Sequence, residues 1–523
     1  MTSEVLRSQP IRVLDLFAGC GGLTEGFHQY RPTGVDEPVF RSVGAVEWDP
    51  AAAATYAMNF GAESDRRGLL DPPEIYQRDI VHWQPRWKPG EIEVVVGGPP
   101  CQGFSSLNRG KVGAERNQLW EEFIRIVVAV QPDVFVIENV DRFVRSPEFA
   151  NLKDRMGNGD LRNYDLVAAP GAKDSDSPTD RARRYLLNAA DYGAPQARRR
   201  SIVIGVRTDG ASQPERMRYP ERTHAKVGPT RHEGLTGLVV PAAERAWLTV
   251  DSLFRETAKM QSAGSDLPDR RRKVDLFEGG YSGRGPYTTA ELHITRNPER
   301  LSLARYAAIP MGGNRKDLRG RYLCRFGDGE EVILEKQGQY RGSDGSLVIP
   351  GRYSKVIDGS VTATQYGIGA EKLAGNSTPG ISRRSRSEAF SVFVSDRDKR
   401  RSATIEYLST PSWDAHDTGS GDVMGRLREG APSVTVRTEF FKPEKGRYLH
   451  PTVDRPITHY EAALLQGFPP TFKWCGSKTE IARQIGNAVP IPLGRKIAEA
   501  IYRYLRPSEQ PGCPVPGLVD FRN

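Results

Sequence analysis

The run of sequence that most constrains the fold lies at positions 94–105 and reads Val-Val-Val-Gly-Gly-Pro-Pro-Cys-Gln-Gly-Phe-Ser. Its three valines predict a short buried strand of a parallel sheet. Two glycines then allow the backbone to turn, and two prolines stiffen it. In open α/β sheets, ligands bind beyond the carboxyl ends of the strands. The pattern therefore favours Cys101 as a nucleophile over the usual role of a lone cysteine, a small buried hydrophobic residue.

The composition is that of a globular protein with room for more than one domain. The chain has 523 residues, of which 38% are hydrophobic and 27% charged, and this length allows two or three domains. The net charge of +9 favours a polyanionic partner. No apolar run is long enough to cross a bilayer and no apolar signal core is present, so neither a membrane span nor export is expected. The five scattered cysteines predict neither a disulfide framework nor a zinc or other metal site.

A nucleotide-binding unit is predicted near the amino terminus. A strand at 11–17 leads into Ala-Gly-Cys-Gly-Gly and then a helix at 23–30. The glycines allow backbone amides to approach a ligand at the start of that helix. The spacing Gly19-x-Gly21-Gly22 differs from the G-x-G-x-x-G of dinucleotide sites, which argues against NAD or FAD. Taken alone, such a loop is as often a simple tight turn.

Acidic residues after the next two strands strengthen this prediction. The second strand ends in Glu-Trp-Asp, where Glu47 would accept hydrogen bonds from two ribose hydroxyls. The alternative is that Glu47 caps the next helix or is a solvated acid. Trp48 would cover an adenine ring or belong to the core. After a third strand, Asp79 would accept a hydrogen bond from an adenine amino group while Ile80 packs on the ring. These features, in strand order, predict a cofactor that contains a nucleoside.

An acid is predicted to share the cleft of the cysteine. The segment 102–117 is rich in glycine and polar residues and is predicted to be a mobile loop of functional length. A helix at 119–130 follows it, and then a strand that ends at Glu138. This residue either faces the same cleft as Cys101 or is an exposed acid at a strand end.

A basic run precedes the next strand. The polar segment 142–184 is expected to be an irregular surface insertion, and Gln-Ala-Arg-Arg-Arg then leads into a strand at 201–206. Such a run is normally a solvated face. Beside a cleft, however, Arg198 and Arg200 would hold a phosphate or a polarised carbonyl group.

Several uncommon strings occur together in one order. They are Asp-Leu-Phe-Ala-Gly-Cys-Gly-Gly, Glu-Trp-Asp, Arg-Asp-Ile, Gly-Pro-Pro-Cys-Gln-Gly-Phe-Ser, Glu-Asn-Val and Gln-Ala-Arg-Arg-Arg. Two more begin at Arg455 and Gln484, within the last ninety or so residues. Together the strings resemble those of the DNA (cytosine-5) methyltransferases, in particular the bacterial enzymes of restriction–modification systems.

The resemblance implies an α/β fold with two parts. A Rossmann-like, S-adenosylmethionine-dependent methyltransferase sheet would be accompanied by a smaller, irregular, β-rich target-recognition domain. The catalytic domain would occupy 1–208 and return at 431–508, followed by a tail at 509–523. The target-recognition domain would occupy 209–430 and carry extra length near 320–401, for which no function is predicted.

The implied cofactor is S-adenosylmethionine. Its predicted site combines the glycine loop, the acids at the strand ends, the helix after the cysteine loop and the tail of the chain. The predicted cofactor residues are Phe17, Gly19, Gly21, Gly22, Glu47, Trp48, Asp79, Ile80, Pro100, Leu119, Asn487 and Val489. The tail would complete the catalytic domain, with a capping box at Thr458 and Glu461 as pure scaffold and a final helix at 491–505.

The middle region differs in composition from the two parts that carry the resemblance. It carries basic clusters at 269–273, 314–321 and 397–401, and short apolar stretches between turns that predict β-hairpins. Each cluster is either a solvated face or a set of phosphate contacts. Together they suit the positioning of a DNA duplex.

The implied reaction is methylation of carbon 5 of a cytosine in a specific duplex sequence. Because carbon 5 is a poor nucleophile, the thiolate of Cys101 would first add to carbon 6. Glu138 would supply a proton or strong hydrogen bond to ring nitrogen 3. Arg198 and Arg200 would supply the positive field that the Cys101 thiolate needs, or would chiefly hold the base carbonyl and the loop. Since these atoms are hidden in a stacked duplex, the base must flip out. No residue is assigned to the removal of the carbon 5 proton.

Two other functions stay open. A related enzyme that methylates transfer RNA is disfavoured by the large basic middle region. A DNA-binding protein with an inactive catalytic fold is disfavoured by intact Cys101, Glu138 and Arg198. The expected partner is double-stranded DNA, with functional pairing to a restriction endonuclease or solitary action. A monomer in the bacterial cytoplasm is expected, without membrane contact.

Overall fold

The computed structural model of the chain describes most of the sequence, namely residues 9–62, 64, 71–100, 119–209, 217–226, 245–262, 264–275, 280–342, 346–370, 389–396, 399–415 and 422–509. Cys101 and the predicted loop at 102–117 lie outside the described residues. The same holds for the carboxyl-terminal stretch from 510 onward.

The secondary structure alternates between strands and helices in the first part of the chain and is strand-rich in the middle. The described strands are β1 (Ile11–Leu16), β2 (Phe40–Glu47), β3 (Glu74–Gln77), β4 (Val94–Gly97), β5 (Val134–Asn139), β6 (Tyr164–Leu166), β7 (Leu186–Asn188), β8 (Gln196–Ala197), β9 (Arg199–Arg207), β10 (His224–Ala225), β11 (Arg245–Ala246), β12 (Arg271–Val274), β13 (Tyr281–Arg284), β14 (Tyr287–Thr288), β15 (Arg321–Phe326), β16 (Glu331–Lys336), β17 (Gly351–Ile357), β18 (Ser360–Ala370), β19 (Ala389–Asp396), β20 (Lys399–Tyr407), β21 (Ser433–Val434) and β22 (Lys473–Trp474). The described α-helices are α1 (Gly22–Gln29), α2 (Pro50–Phe60), α3 (Leu119–Val130), α4 (Pro147–Asn158), α5 (Pro178–Arg183), α6 (Asp251–Thr257), α7 (Arg300–Ala308), α8 (Pro411–Ala415), α9 (His459–Gln466), α10 (Lys478–Asn487) and α11 (Ile491–Leu505). None of these helices is both long and apolar enough to cross a membrane.

One sheet organises the first part of the chain. Its strand order is β3-β2-β1-β4-β5-β9-β6, and β7 also pairs with β9. The strands from β3 to β5 are parallel, whereas β9 runs antiparallel to β5. The valines of β4 are fully buried, as expected for a strand covered on both faces. The predicted Rossmann-like sheet is therefore confirmed, and the carboxyl ends of its parallel strands meet at one edge.

The prediction that 142–184 is an irregular surface insertion is wrong. This segment forms α4, β6 and α5, and β6 joins the main sheet beside β9. Phe149 and Leu152 of α4 are buried in the core, and the buried hydroxyl of Tyr164 donates to the carbonyl of Pro132 at 2.7 Å. Only one side of α4 is apolar, so polar residues separate its few hydrophobic residues in the sequence. The segment therefore has the composition of an exposed insertion although it contributes to the core.

The extra length near 320–401 is a folded β unit. Strands β15 to β20 form a closed antiparallel barrel over residues 321–407. The barrel has its own core, which includes Tyr322, Leu334, Tyr353 and Ile405. The middle region is therefore strand-rich as predicted. At the barrel it is regular rather than irregular, because closure pairs each strand on both sides and leaves no open sheet edge.

The tail packs back onto the amino-terminal part of the sheet domain. Helix α9 begins with the predicted capping box, in which Thr458 Oγ1 accepts from the Glu461 amide and Glu461 Oε2 accepts from the Thr458 amide. Helix α11 lies so close to α1 that a Cβ at Gly26 would stand 2.7 Å from the backbone nitrogen of Arg495. This contact brings the end of the chain beside the glycine loop.

Candidate active site

The glycine loop between β1 and α1 contains glycines with different surroundings. A Cβ at Gly21 would stand 2.3 Å from the Phe60 ring, and one at Gly22 would stand 3.0 Å from Ala488 Cβ. These two glycines therefore permit close packing against α2 and the tail. Gly19 has a positive φ of 57°, and a Cβ built there meets no atom within 4 Å. Of the three, only Gly19 borders open space.

Glu47 is fixed beside that loop by backbone amides. Its Oε2 accepts from the Gly19 amide at 2.8 Å, and its Oε1 accepts from the Asp49 amide at 2.8 Å. Burial raises the pKa of Glu47, while these two amides act in the opposite direction. Asp49 caps α2 by accepting from the amides of Ala51 and Ala52, both at 3.0 Å. The alternative that Glu47 is the cap is therefore wrong.

The neighbouring predicted cofactor residues differ in exposure. Trp48 is 67% exposed, so the alternative that it belongs to the core is wrong. Its carbonyl accepts from Gln77 Nε2 at 2.7 Å, which links the ends of β2 and β3. Asp79 Oδ1 accepts from the Val81 amide at 3.1 Å, and Ile80 is buried in the core.

The remaining predicted cofactor residues frame the same edge of the sheet. Phe17 follows β1 with a positive φ of 55° and packs partly buried against the core. Pro100 is the last described residue after β4, and Leu119 is the first residue of α3. Asn487 is exposed at the end of α10, whereas Val489 is buried. The carbonyl oxygen of Val489 would lie 3.1 Å from a Cβ at Gly22, so the tail meets the glycine loop as expected.

Asp15 is a residue that the sequence reasoning missed. It is buried in β1, and its Oδ2 accepts from the Thr24 hydroxyl at 2.5 Å. Burial raises its pKa to about 7; the Thr24 hydrogen bond opposes this shift, and the charge of Glu47 adds to it. The available signal was an acid between Leu14 and Leu16 in a mostly apolar strand, because burying a carboxyl group costs free energy unless it is paired.

A second group of contacts lies at the ends of β4 and β5. Glu138 Oε1 is 3.0 Å from the guanidinium Nε of Arg200, and both side chains are largely buried. A Cβ at Gly98 would stand 3.0 Å from Glu138 Oε2. Asn139, which the sequence reasoning did not single out, donates from Nδ2 to the carbonyl of Pro99 at 2.9 Å. Asn139 thus fixes the turn after β4, and Glu138 lies against the same turn.

Arg198 does not share this position. Its side chain is 1% exposed, and its two terminal nitrogens donate to the carbonyls of Val436 at 2.8 Å and Gly486 at 2.9 Å. Burial lowers its pKa to about 9, the charge of Arg200 lowers it further, and that of Glu138 acts in the opposite direction. The expectation that Arg198 holds a base carbonyl is therefore corrected, because backbone carbonyls of the tail region occupy its terminal nitrogens.

The family follows from the sequence match, which covers both parts of the sheet domain. Residues 11–236 and 361–503 match the family described as C-5 cytosine-specific DNA methylase, which is more than half of the chain. The chain belongs to this family.

Relatives of this methylase include bacterial and animal proteins. Type II methyltransferase M.AgeI of Thalassovita gelatinovora is 28% identical over 496 residues, which is 94% of this chain and 99% of M.AgeI. DNA (cytosine-5)-methyltransferase 1 of Gallus gallus is 28% identical over 500 residues, which is 94% of this chain but 30% of the chicken protein. The methylase therefore spans about a third of the length of that animal relative.

Among solved structures, the S. pombe Dnmt2 methyltransferase is similar with a TM-score of 0.40 and 12% sequence identity. The match covers 95% of this methylase and 99% of the Dnmt2 chain.

The two groups of contacts in the methylase lie on neighbouring strands. Gly19 follows β1 and Glu47 ends β2, while Gly98 follows β4 and Glu138 lies near the end of β5. Because β1 lies between β2 and β4 in the sheet, and parallel strands are about 4.8 Å apart, both groups face one continuous edge. Such an edge suits a nucleoside on one side and a polar ring on the other.

Proposed function

We propose that this chain transfers a methyl group from S-adenosylmethionine to carbon 5 of a flipped-out cytosine in a specific duplex DNA sequence. A covalent adduct between Cys101 and carbon 6 carries the reaction. The observation that supports this most directly is the Glu138 carboxyl group, which Arg200 holds at 3.0 Å and which lies against Gly98. Gly98 precedes Cys101 by only three residues in the sequence, which supports a shared cleft for the acid and the sulfur.

The described residues fit the cofactor. Open space at Gly19 adjoins the Glu47 carboxylate, which two amides fix in place, and Trp48, the next residue in the chain, is exposed. This combination suits a ribose and an adenine. Acidic neighbours suit a cationic ligand. When bound, S-adenosylmethionine supplies a methyl group on a positively charged sulfur. The residues that would hold it are Phe17, Gly19, Glu47, Trp48, Asp79, Pro100, Leu119, Asn487 and Val489.

The chain's own groups prepare the cytosine. The Cys101 thiolate forms a bond to carbon 6, and the displaced ring electrons make carbon 5 nucleophilic. Glu138 holds a proton at ring nitrogen 3, where negative charge would otherwise develop. Arg200 orients Glu138 through the 3.0 Å contact. Once carbon 5 is methylated, its proton leaves, the carbon–sulfur bond breaks and the thiolate is restored.

A methyl-transfer assay tests this proposal. The full chain is incubated with labelled S-adenosylmethionine and either genomic duplex DNA or transfer RNA. We expect label in DNA at carbon 5 of cytosine, none in transfer RNA, and none with Cys101→Ser. Cys513→Ser removes a thiol outside the catalytic motifs and serves as the matched control, with normal transfer. Transfer by Cys101→Ser at the wild-type rate would overturn the nucleophile, and label in transfer RNA alone would favour the related RNA enzyme.

The biological setting follows from the same proposal. M.AgeI, which aligns over nearly its whole length, is named a Type II methyltransferase. We therefore place this chain in a bacterial cytoplasm, acting on double-stranded DNA as a monomer and functionally paired with a restriction endonuclease. Methylation mapped at base resolution in cells that express the chain would identify the target sequence.

A further inference from the structure

A second cavity opens at the same edge of the sheet as Glu138. It has a volume of about 550 Å³, and its wall includes Asp141, Asn188 and Arg199. Asp141 lies just beyond β5, and Asn188 at the end of β7 pairs with Arg199 at the start of β9. Since Glu138 of β5 pairs with Ile202 of β9, the cavity and the proposed catalytic cleft share these two strands.

The cavity lies on the other face of β9, the strand whose Arg200 contacts the proposed catalytic acid. Successive side chains of a strand point to opposite faces of the sheet. Arg200 turns toward Glu138, with its Nε 3.0 Å from the carboxyl oxygen. Its neighbour Arg199 is exposed and lines the cavity. The first two residues of β9 therefore face different sites: Arg200 faces the Glu138 cleft, and Arg199 faces the cavity.

The buried acid Asp191 lines the cavity and contacts two other lining residues. Asp191 is 9% exposed, and its Oδ1 accepts from the indole nitrogen of Trp247 at 2.9 Å. The Nε of Arg222 lies 3.5 Å from Asp191 Oδ2, and the Asp191 carbonyl accepts from the Thr223 amide at 2.9 Å. The Trp247 amide donates to the carbonyl of Ala225 at 3.0 Å. These contacts fix the positions of Trp247 and Arg222 at the cavity.

The charge of the cavity is strongly positive. Its lining includes two acids, Asp141 and Asp191, against five bases: Arg145, Arg183, Arg199, Arg222 and Lys226. Arg183 pairs with Asp180 at 3.2 Å, outside the lining. Arg145, Arg199 and Lys226 are exposed. Within the described part of the chain, no ion pair engages these three, so their charge is available to an anion.

We propose that this cavity binds the phosphate backbone of duplex DNA next to the nucleotide that enters the Glu138 cleft. The inference rests on the proposed function, which brings a DNA strand to this edge of the sheet. An arginine guanidinium can donate two hydrogen bonds to one phosphate group. Three basic side chains without ion-pair partners among the described residues, beside the fixed Trp247, suit a sugar–phosphate chain. A free nucleotide offers the same chemistry, and the binding test below separates the two sources.

The test compares variants that remove charge inside and outside the cavity. Arg145→Gln, Arg199→Gln and their combination are made in the full chain, together with Arg199→Lys, which keeps the charge. Lys88→Gln is the matched control, because Lys88 is exposed near the start of β4, at the opposite edge of the sheet. Binding to a labelled synthetic duplex is followed by fluorescence anisotropy over a range of salt concentrations.

The double variant is expected to lose about tenfold in duplex affinity at fixed salt. The slope of log affinity against log salt should shrink by about 1.8, since each lost phosphate contact accounts for about 0.9. The loss should be equal for duplexes of different sequence. Arg199→Lys should retain much of the slope, and Lys88→Gln all of it. An unchanged slope in the double variant would overturn the proposal.

Two further arms separate the explanations. If deoxycytidine monophosphate binds the wild-type chain and the double variant abolishes that binding without affecting the duplex, the cavity is a nucleotide site and the DNA assignment is wrong. Methyl transfer is measured on the same preparations. Wild-type transfer to DNA with an unchanged salt slope in the double variant would reject only the cavity proposal. If the double variant shows the expected smaller salt slope but the wild-type chain transfers no methyl group to DNA, only the proposed function is rejected.

Discussion

Glu138 and Arg200 meet across two antiparallel strands, with the carboxyl oxygen 3.0 Å from the guanidinium Nε. Arg198, two residues earlier, points its terminal nitrogens at backbone carbonyls of the tail region instead. Two arginines of one basic run therefore have different tasks. One orients the proposed catalytic acid, and the other ties the sheet domain to the segments that follow the middle region.

Replacing Arg200 should impair turnover more than binding. Arg200→Gln removes the charge that holds Glu138, so we expect kcat to fall by about 10² to 10⁴, the range for a misplaced general acid. The KM for S-adenosylmethionine should change little, because Glu47 and the glycine loop are untouched. Steady-state kinetics on duplex DNA measure both constants. Lys88→Gln, an exposed residue far from this edge of the sheet, is the control, and an unchanged kcat in Arg200→Gln would exclude the orienting role.

A methyl group at position 98 should disturb the same acid. The Cβ of Gly98→Ala would stand 3.0 Å from Glu138 Oε2, so the carboxyl group must move by a few tenths of an ångström. We expect a reduced kcat with a nearly unchanged melting temperature. Gly157→Ala is the control, because a Cβ there meets nothing within 4 Å. Equal kcat values for the two variants would show that the Glu138 position tolerates this shift.

Arg198 should matter for stability. Arg198→Met removes two hydrogen bonds to the carbonyls of Val436 and Gly486 and leaves both buried acceptors without these donors. Each such loss costs about 1–3 kcal/mol, so the free energy of unfolding should fall by about 2–6 kcal/mol in urea titrations. A variant with unchanged stability but lost turnover would instead indicate that Arg198 contacts the substrate.

Asp15 should make stability depend on pH. Its pKa is raised from 3.8 to about 7, chiefly by burial, so the folded state holds a proton that the unfolded state releases. The stabilising contribution is complete below about pH 3.8 and is lost as pH rises toward 7 and above. We expect Asp15→Asn to be more stable relative to wild type at pH 8 than at pH 5, by up to a few kcal/mol. Urea unfolding at both values measures this difference, and a constant difference would contradict the raised pKa.

Local sequence patterns were sufficient for the parallel strands of the sheet and for much of the edge that carries the site. Three valines followed by two glycines and two prolines predicted β4 and its turn, and Glu47 and Glu138 were predicted at the ends of β2 and β5. These features depend on short-range rules: strand periodicity, glycine turns and strand ends. Helix α3 begins and ends where it was predicted, at Leu119 and Val130.

What the sequence could not reveal depends on distant contacts. The role of Arg198 follows from the carbonyls of Val436 and Gly486, which only folding brings to it. The sequence of 142–184 favours a surface insertion because its buried residues are spread over one side of α4. Closure of the barrel over 321–407 likewise requires the pairing of β15 with β20, and no local pattern encodes that pairing.

The most direct measurement of the central claim is covalent trapping. The full chain is incubated with S-adenosylmethionine and a duplex that carries 5-fluorocytosine at the methylated position, since fluorine at carbon 5 cannot leave as a proton does. We predict a stable protein–DNA adduct that peptide mapping locates at Cys101, and no adduct with Cys101→Ser. A wild-type chain that methylates the normal duplex but yields no adduct at Cys101 would contradict the account.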